Sequence, residues 1–401
     1  MTALTRLFSE GFRIFFLLAG LWGALAMLVW GLWLGLQGWG GMMDLPNDLV
    51  PQWWHGHEMI FGFGSAAAAG FFLTAVPNWT GAPPARPRFI VLAAVLWAAG
   101  RVSVWLWGTV PGPVAAAVTL AFLPMLAGRI TQQLLARRNG ADIMFLGLLS
   151  LMWLAQIRVM LDFLGLPLGD AGAGLHGGIA VLIALIVVLG GRITPAFTRN
   201  ALGRAASARG VVAAPETLPV QDKTTDRVAI GAAILAAAAI TLGLPAPFAG
   251  AAQIVLGLAQ LWRMRRWRGL AVRREPILAV LHGAMALVGL GALLQGLAAF
   301  GLGSQIGALH FSALGGVGTM VLAVMSRATL GHTGRPLLAP APVVLAYALI
   351  PVAALIRWAA ALGPLALYTP GTLLAASLWV LAFGLFVQAL GPALLGPRLR
   401  P

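Results

Sequence analysis

Histidine is the residue type best suited to chemistry in this chain, and its placement is uneven. Four of the six histidines, His55, His57, His176 and His310, stand where long apolar segments begin. The chain has no cysteine, which excludes disulfides and thiolate metal sites. A transition metal would therefore be held by histidine, methionine or carboxylate, and imidazole suits both iron and copper. The pattern predicts a histidine-ligated metal centre.

Each of these histidines, taken singly, could instead be an ordinary polar residue at the mouth of a helix. His282 lies about two turns into a later apolar segment, where it could ligate a metal or serve a proton path. His332, in "GHTGRP", is either a further metal ligand or a residue that orders its loop. Three methionines are candidate soft copper ligands or simple packing residues: Met42, Met43 and Met59.

Glu58 is the carboxylate that accompanies His57 in "HGHEM". It could accept a hydrogen bond from a ligating imidazole and so orient it. It could also act as a catalytic residue that hands protons to a reduced substrate. A third interpretation is an acid at a helix amino terminus, where the helix dipole favours negative charge.

Three arginines lie inside apolar segments, where a guanidinium group is costly and needs an anionic partner. They are Arg101, Arg158 and Arg357. Acids are scarce at that level, and Glu58 and Asp162 are the obvious ones. Haem propionates would also suit, through paired charge-assisted hydrogen bonds. We therefore predict these arginines as cofactor-binding residues.

The elements that position these residues are predicted to be membrane helices. Sixty percent of the residues are hydrophobic and 9% are charged, whereas soluble domains carry about 25% charged residues. Apolar runs of about 20 residues match the thickness of a bilayer core. We predict an all-α polytopic membrane protein, one membrane domain over residues 1–401 with about twelve spans. The spans are 14–36, 56–77, 89–110, 113–134, 143–165, 174–195, 228–247, 249–264, 276–299, 305–328, 341–362 and 369–391.

The basic residues predict the orientation of the spans. The net charge is +15, and all but three of the 26 basic residues fall at the termini, in the loops after even-numbered spans or near the ends of those spans that lead into the loops; Arg137 and Arg138 are examples. This one-sided distribution follows the positive-inside rule and places both termini in the cytoplasm. The basic loops then face anionic lipid headgroups, and a nucleic-acid partner is not expected. The first apolar run is too long for a signal peptide and is read as a retained helix.

The second, sixth and tenth spans share one pattern that suggests three repeats of four helices. Each carries a histidine near its outer end and a threonine 22 or 23 residues later: His57 to Thr80, His176 to Thr198, and His310 to Thr333. At 1.5 Å per residue this spacing is roughly one membrane thickness. A polar cytoplasmic linker at about 198–227 separates the first six spans from the last six. We therefore expect His55, His57, His176 and His310 to meet near the outer face.

Several segments resemble signature segments of the NnrS family over nearly the whole chain. They are "WHGHEMIFGF", "GFFLTAVPNWTG", "GGRITPAFTRN" and "VMSRATLGHTGRP". The resemblance implies a bacterial inner-membrane protein that contains haem, of the b type, and copper and protects cells against nitric oxide. It implies metal-binding roles for His55, His57, His176, His310 and His332, and less specifically for His282. The arrangement is also similar to that of haem–copper oxidases, which is an analogy of fold only.

The function that combines these points is the removal of nitric oxide by reduction to nitrous oxide at a histidine-ligated metal centre. Nitric oxide is small and apolar, so it can enter from the lipid bilayer without a polar pocket. The electron donor is unknown, and a homo-oligomer is left open. Two alternatives remain: a haem- and copper-binding protein without turnover, serving metal-centre protection, maturation or sensing, and a transporter.

Overall fold

The computed structural model describes residues 2–135 and 140–399, and it contains no β-strand in those ranges. Eleven helices in this part of the chain are long and apolar enough to cross a membrane, which confirms the predicted fold class. With one further helix, α8, the long helices are α1 Gly11–Gly38, α2 Pro51–Thr80, α3 Pro87–Trp105, α4 Gly112–Leu135, α5 Gly140–Phe163, α6 Ala171–Ser207, α7 Lys223–Leu242, α8 Ala246–Met264, α9 Pro276–Ala299, α10 Gln305–His332, α11 Ala341–Ala360 and α12 Leu365–Leu395.

Helix α8 occupies the place of the span predicted at 249–264 but is not among the eleven. It is 19 residues long and packs against α7 and α9. Gln253, Gln260 and Arg263 are all buried on it. Polar and charged side chains on the inner face lower the hydropathy of a helix without hindering its packing. The sequence therefore predicted the helix, and its polar face sets it apart from the eleven candidate spans.

The helix ends on either side of the linker differ from the prediction. The predicted sixth span ends at Pro195, yet α6 continues through this proline to Ser207, so the linker predicted at 198–227 is helical over its first third. Prolines are tolerated inside membrane helices because neighbouring groups satisfy the freed carbonyls. At the other end of the linker, Asp222 caps α7 by accepting hydrogen bonds from the backbone of Thr224 and Thr225. These bonds and the Thr225 hydroxyl lower the pKa of Asp222.

The three helices of the predicted repeat, α2, α6 and α10, have the largest buried shares. In their most apolar stretches, 72% of α2, 78% of α6 and 72% of α10 is buried, against 39–61% for the other eight spans. A helix exposed to lipid on one side keeps many residues uncovered, whereas an interior helix does not. The most apolar stretches of α2, α6 and α10 are therefore covered mainly by protein.

The chain divides into two compact units. The first comprises the chain up to Ile179 together with Ala328–Pro336 and the segment from Trp379 onward. The second comprises Ala180–Arg327 and Leu337–Leu378. The assignment of one membrane domain and the cytoplasmic placement of both termini stay predictions. Arg137 and Arg138, which were part of the charge argument, lie outside the described residues.

Candidate functional site

A buried polar network in the first unit is built around His57 and Glu58. Both side chains are completely buried, and Arg101 is 4% exposed. Glu58 Oε1 lies 2.8 Å from His57 Nδ1, and Glu58 Oε2 lies 3.3 Å from Arg101 Nη1. Trp22 donates its indole N–H to Glu58 Oε2 at 2.8 Å. Burying charges costs free energy unless they are paired and hydrogen-bonded, and this carboxylate meets both conditions.

The donors around Glu58 define its charge and the tautomer of His57. Trp22 and Arg101 both donate N–H groups to Glu58, and the carboxylate form balances the charge of Arg101, so Oε1 is assigned as the acceptor opposite His57 Nδ1. His57 then carries its proton on Nδ1 and keeps the lone pair on Nε2, where Gln156 Nε2 lies 3.5 Å away. The arrangement supports the orienting role predicted for Glu58. The helix amino-terminal interpretation is not supported, because α2 begins at Pro51, two turns earlier.

The backbone around the network departs from regular α-helix. Residues Glu58–Gly64 form a π-helix inside α2, and residues Phe311–Gly318 form a second one inside α10. Each π-helix begins at the residue directly after a candidate histidine, His57 or His310. Such segments are rare and occur frequently at functional sites. The two helices therefore share a local geometry as well as the histidine, which supports the repeat.

Gly62 makes the approach of Arg101 to Glu58 sterically feasible. A Cβ at this position would lie 2.6 Å from Trp22 Nε1 and 3.0 Å from Arg101 Nη1. The Gly62 carbonyl in turn accepts the indole N–H of Trp97 at 3.1 Å. Two of the donors to Glu58 pass directly over this glycine, so there is no room for a side chain.

Replacing Gly62 by alanine is expected to destabilise the protein by about 1–3 kcal/mol, the usual cost of overpacking. The measurement is the unfolding free energy in detergent, alongside the tryptophan emission spectrum, which should shift as Trp22 is displaced. Gly147→Ala is the matched control, because its Cβ would meet nothing within 4 Å. Equal stability of the two variants would contradict the close packing described for Gly62.

His176 and His310 share a different arrangement. The Nδ1 atom of His176 lies 2.7 Å from the Gly172 carbonyl oxygen, and that of His310 lies 2.8 Å from the Ile306 carbonyl oxygen. A carbonyl can only accept, so both imidazoles carry the proton on Nδ1 and the lone pair on Nε2. Metal-ligating histidines commonly donate their other N–H to a carbonyl in this way. Both are therefore oriented as ligands.

The inner ends of the same helices also match. The hydroxyl groups of Thr80, Thr198 and Thr333 each donate to the carbonyl four residues earlier, at 2.8, 2.9 and 2.6 Å. This back-bonding is common for threonine in helices, but its occurrence at three positions chosen from spacing alone is informative. It supports the three-fold repetition that the spacing predicted.

The remaining histidines have separate surroundings. His55 stacks on Trp30 with the ring centroids 4.7 Å apart. In the second unit, His282 Nε2 lies 2.9 Å from the Thr198 hydroxyl. Because that hydroxyl donates to the Thr194 carbonyl, it accepts from His282. His332 packs 5.4 Å from the Phe12 ring, which agrees with a structural role.

The three arginines predicted to bind a cofactor meet different partners. Arg101 pairs with Glu58, one of the two acids considered from the sequence, whereas Arg158 pairs with Asp170 at 3.4 Å rather than with Asp162. A cofactor-binding role for either arginine stays a prediction. Asp170 lies just before α6, so the pair joins two neighbouring helices. Arg357 is 4% exposed and has no carboxylate partner among the described residues. Its Nη2 atom donates to the Tyr368 hydroxyl at 2.9 Å, and its Nη1 atom has no hydrogen-bond partner there.

Arg357 lies at the level of His310 on the adjacent helix. Gly307 packs against Ala361, and Gly315 packs against Ala354. Between these contacts, the rings of Phe311 and Trp358 are 6.2 Å apart. The two helices are thus antiparallel neighbours, and Arg357 stands opposite the first residues of the π-helix.

The comparison with known families agrees with these features. A model described as NnrS protein matches residues 6–398 of the 401-residue chain. The chain belongs to the NnrS family. No curated protein was found to match this family member. Together with the eleven candidate spans, the family match makes it a multi-pass membrane protein.

A copper centre of the predicted kind does not fit the residues of this NnrS family member. Copper held by imidazoles needs several donors around one point. In residues 2–135 and 140–399, no three His, Asp or Glu side chains lie close enough to hold one metal ion. The prediction that His55, His57, His176 and His310 meet at one centre therefore stays a prediction. The reaction proposed for this protein does not require copper.

A haem does fit. Haem iron needs one or two axial ligands rather than a cluster, and His176 and His310 each have the tautomer of an axial ligand. The buried guanidinium of Arg357, with an unpartnered Nη1, is a suitable partner for a propionate. The residues that would hold a haem in the second unit of this family member are therefore His310 and Arg357, and a ligand role for His176 in the first unit stays a separate prediction.

Sequence analysis missed four residues of these sites. Gln156 could have been found, because an amide in the middle of an apolar segment is itself unusual. Trp22, Trp97 and Tyr368 contribute through a single N–H or O–H group each. In a chain with 15 tryptophans, nothing in the sequence distinguishes the two that donate to this network.

Proposed function

We propose that this NnrS family member reduces nitric oxide to nitrous oxide at a haem held by histidine in the bacterial inner membrane. The observation that carries the proposal is the position of His310 and Arg357 at one level of two adjacent helices. One presents a ligand-ready imidazole and the other a buried cation that lacks an anion. Haem supplies both missing parts, an iron and a carboxylate.

The repeat strengthens this argument. In the first unit, the residue after His57 is Glu58, and its carboxylate meets the arginine of the next helix, Arg101. In the second unit, the residue after His310 is Phe311, and the arginine of the next helix is Arg357. A phenyl ring cannot neutralise a guanidinium group. The second unit therefore lacks the anion that the first unit builds in, and a propionate would replace it.

The reaction requires two nitric oxide molecules, two electrons and two protons, and it yields one nitrous oxide and one water. Bound haem supplies the nitric oxide binding site and passes the electrons, which come from an external donor. His310 would hold the iron through an imidazole nitrogen, and Arg357 would neutralise the charge of a propionate. The buried surroundings exclude bulk water, and the apolar helices admit nitric oxide from the bilayer.

Glu58 and His57 have a positioning role in this proposal. One proton lies between Nδ1 of His57 and Oε1 of Glu58, which are 2.8 Å apart. The guanidinium group of Arg101 compensates the negative charge of this pair. The pair can hold or pass a proton at these two atoms within the buried part of α2.

The test is anaerobic nitric oxide consumption by the purified protein with an artificial electron donor, with nitrous oxide measured by gas chromatography. We expect repeated turnover with one nitrous oxide per two nitric oxide molecules. His332→Phe, which keeps a ring against Phe12, is the control and should turn over normally. Nitric oxide bound once per haem without nitrous oxide would support the alternative of a haem-binding protein without turnover.

A further inference from the structure

A basic groove lies where α6 ends and the linker begins. Its volume is about 650 Å³, within the range of small-molecule sites. One wall is the last two turns of α6, and the other is the linker that folds back over it. The lining residues are Arg199, Asn200, Gly203, Arg204, Ser207, Val212, Ala213 and Leu218.

The two arginines of this groove do different things. Arg199 donates from Nη2 to the Pro219 carbonyl and so fixes the linker against the helix. The side chain of Arg204 makes no hydrogen bond or ion pair within the described residues, and another cation, Arg327, is near enough to interact with it electrostatically. No acidic residue is among the eight that line the groove. The groove therefore carries positive charge that the described protein does not neutralise.

The other wall of the groove is apolar and exposed. Val212 is 94% exposed and the adjacent Val211 is 56% exposed. Two exposed valines beside two arginines, at the end of a spanning helix, form an amphipathic surface at the membrane interface. Basic pockets beside spanning helices bind the headgroups of anionic lipids. Acyl chains suit the valine side, and a phosphate suits the arginines.

We propose that this groove binds the phosphate headgroup of an anionic phospholipid such as phosphatidylglycerol. Arg204 supplies the principal charge, and Asn200 and Ser207 supply hydrogen bonds to phosphate oxygens. The lipid is favoured over free phosphate because the exposed valines give the site an apolar wall that a bare ion does not use. The site is independent of haem and of nitric oxide.

The test is native mass spectrometry of the delipidated full chain titrated with phosphatidylglycerol, phosphatidylcholine or inorganic phosphate. We expect a retained phosphatidylglycerol on the wild type and about five-fold weaker retention in Arg204→Gln, the contribution of one interfacial arginine. Arg209→Gln is the matched control. It removes the same charge five residues further on, from a side chain bonded only to the Ala205 carbonyl.

The retention of phosphatidylglycerol by Arg204→Gln and by the wild type tests the lipid site directly. Arg204→Gln should fold normally, because its side chain bonds to no protein group, so reduced binding cannot be attributed to unfolding. Equal retention of phosphatidylglycerol by Arg204→Gln and the wild type would overturn the proposal. Binding of inorganic phosphate that displaces the lipid at equal concentration would show a phosphate site instead. Equal binding of phosphatidylcholine would show an apolar contact without charge recognition.

Discussion

Replacing Glu58 by alanine is expected to lower the unfolding free energy by about 3–5 kcal/mol, the cost of leaving a buried charge without its partner. The change deprives Arg101 of its counter-ion and leaves the N–H groups of Trp22 and His57 without an acceptor. The measurement is reversible unfolding in mixed micelles. Glu216→Ala, at an exposed position in the linker, is the control and should change stability by less than about 0.5 kcal/mol.

A double variant separates the ion pair from the rest of the network. Glu58→Leu combined with Arg101→Leu removes both charges, and replacing a buried ion pair by apolar residues is often neutral. We expect the double variant to be more stable than either single variant. If the two losses simply add, the carboxylate and the guanidinium are not coupled and the description of this network is wrong.

The second large effect is expected at His310. His310→Ala removes the imidazole that is proposed to hold haem, so haem retention should fall by at least about ten-fold, by comparison with partner deletions at metal sites. The measurement is the Soret absorbance per chain after purification. Arg357→Leu should give a partial loss, because it removes the charge that meets a propionate but keeps the ligand.

Controls distinguish ligand loss from damage to the fold. His332→Phe preserves the ring contact with Phe12 and should keep its full haem content. His310→Ala should elute as a monodisperse protein with nearly unchanged thermal stability, because its ring is partly exposed. A folded His310→Ala protein with a wild-type Soret band would exclude His310 as a ligand.

The fold was largely predictable because the bilayer imposes strong constraints. Runs of about 20 apolar residues must form helices, since no other local structure satisfies the backbone in lipid. The errors occur where a helix extends beyond the apolar core. Pro195 predicts the end of α6, but the helix continues through it to Ser207. Helix α2 begins at Pro51, before its apolar run starts.

The candidate site was predictable in its residue types but not in its pairings. Glu58 and Arg101 attract notice because charges inside apolar segments are rare. The sequence offered Glu58 only as one possible partner beside haem propionates, and the structure shows the ion pair. The pairing of Arg158 with Asp170 depends on the turn between α5 and α6, which the sequence does not specify. The π-helices have no distinctive residue pattern, since their i→i+5 bonds depend on tertiary packing.

The two units differ in the residue that follows the histidine and in the partner of the arginine, and the sequence alone did not reveal this difference. Both have a histidine, a π-helix and an arginine on the next helix. One supplies its own carboxylate in Glu58, whereas the other has Phe311 at that place and a buried Arg357 beside Tyr368. This difference is the reason for assigning a carboxylate-bearing cofactor to the second unit.

Haem content and iron per chain, measured on purified wild type beside Arg357→Leu and His310→Ala, test the central claim most directly. We expect b-type haem in the wild type, a lower haem content in Arg357→Leu and little haem in His310→Ala. A folded wild-type protein that contains no haem but still consumes nitric oxide would contradict the proposal that a haem is the site of the reaction.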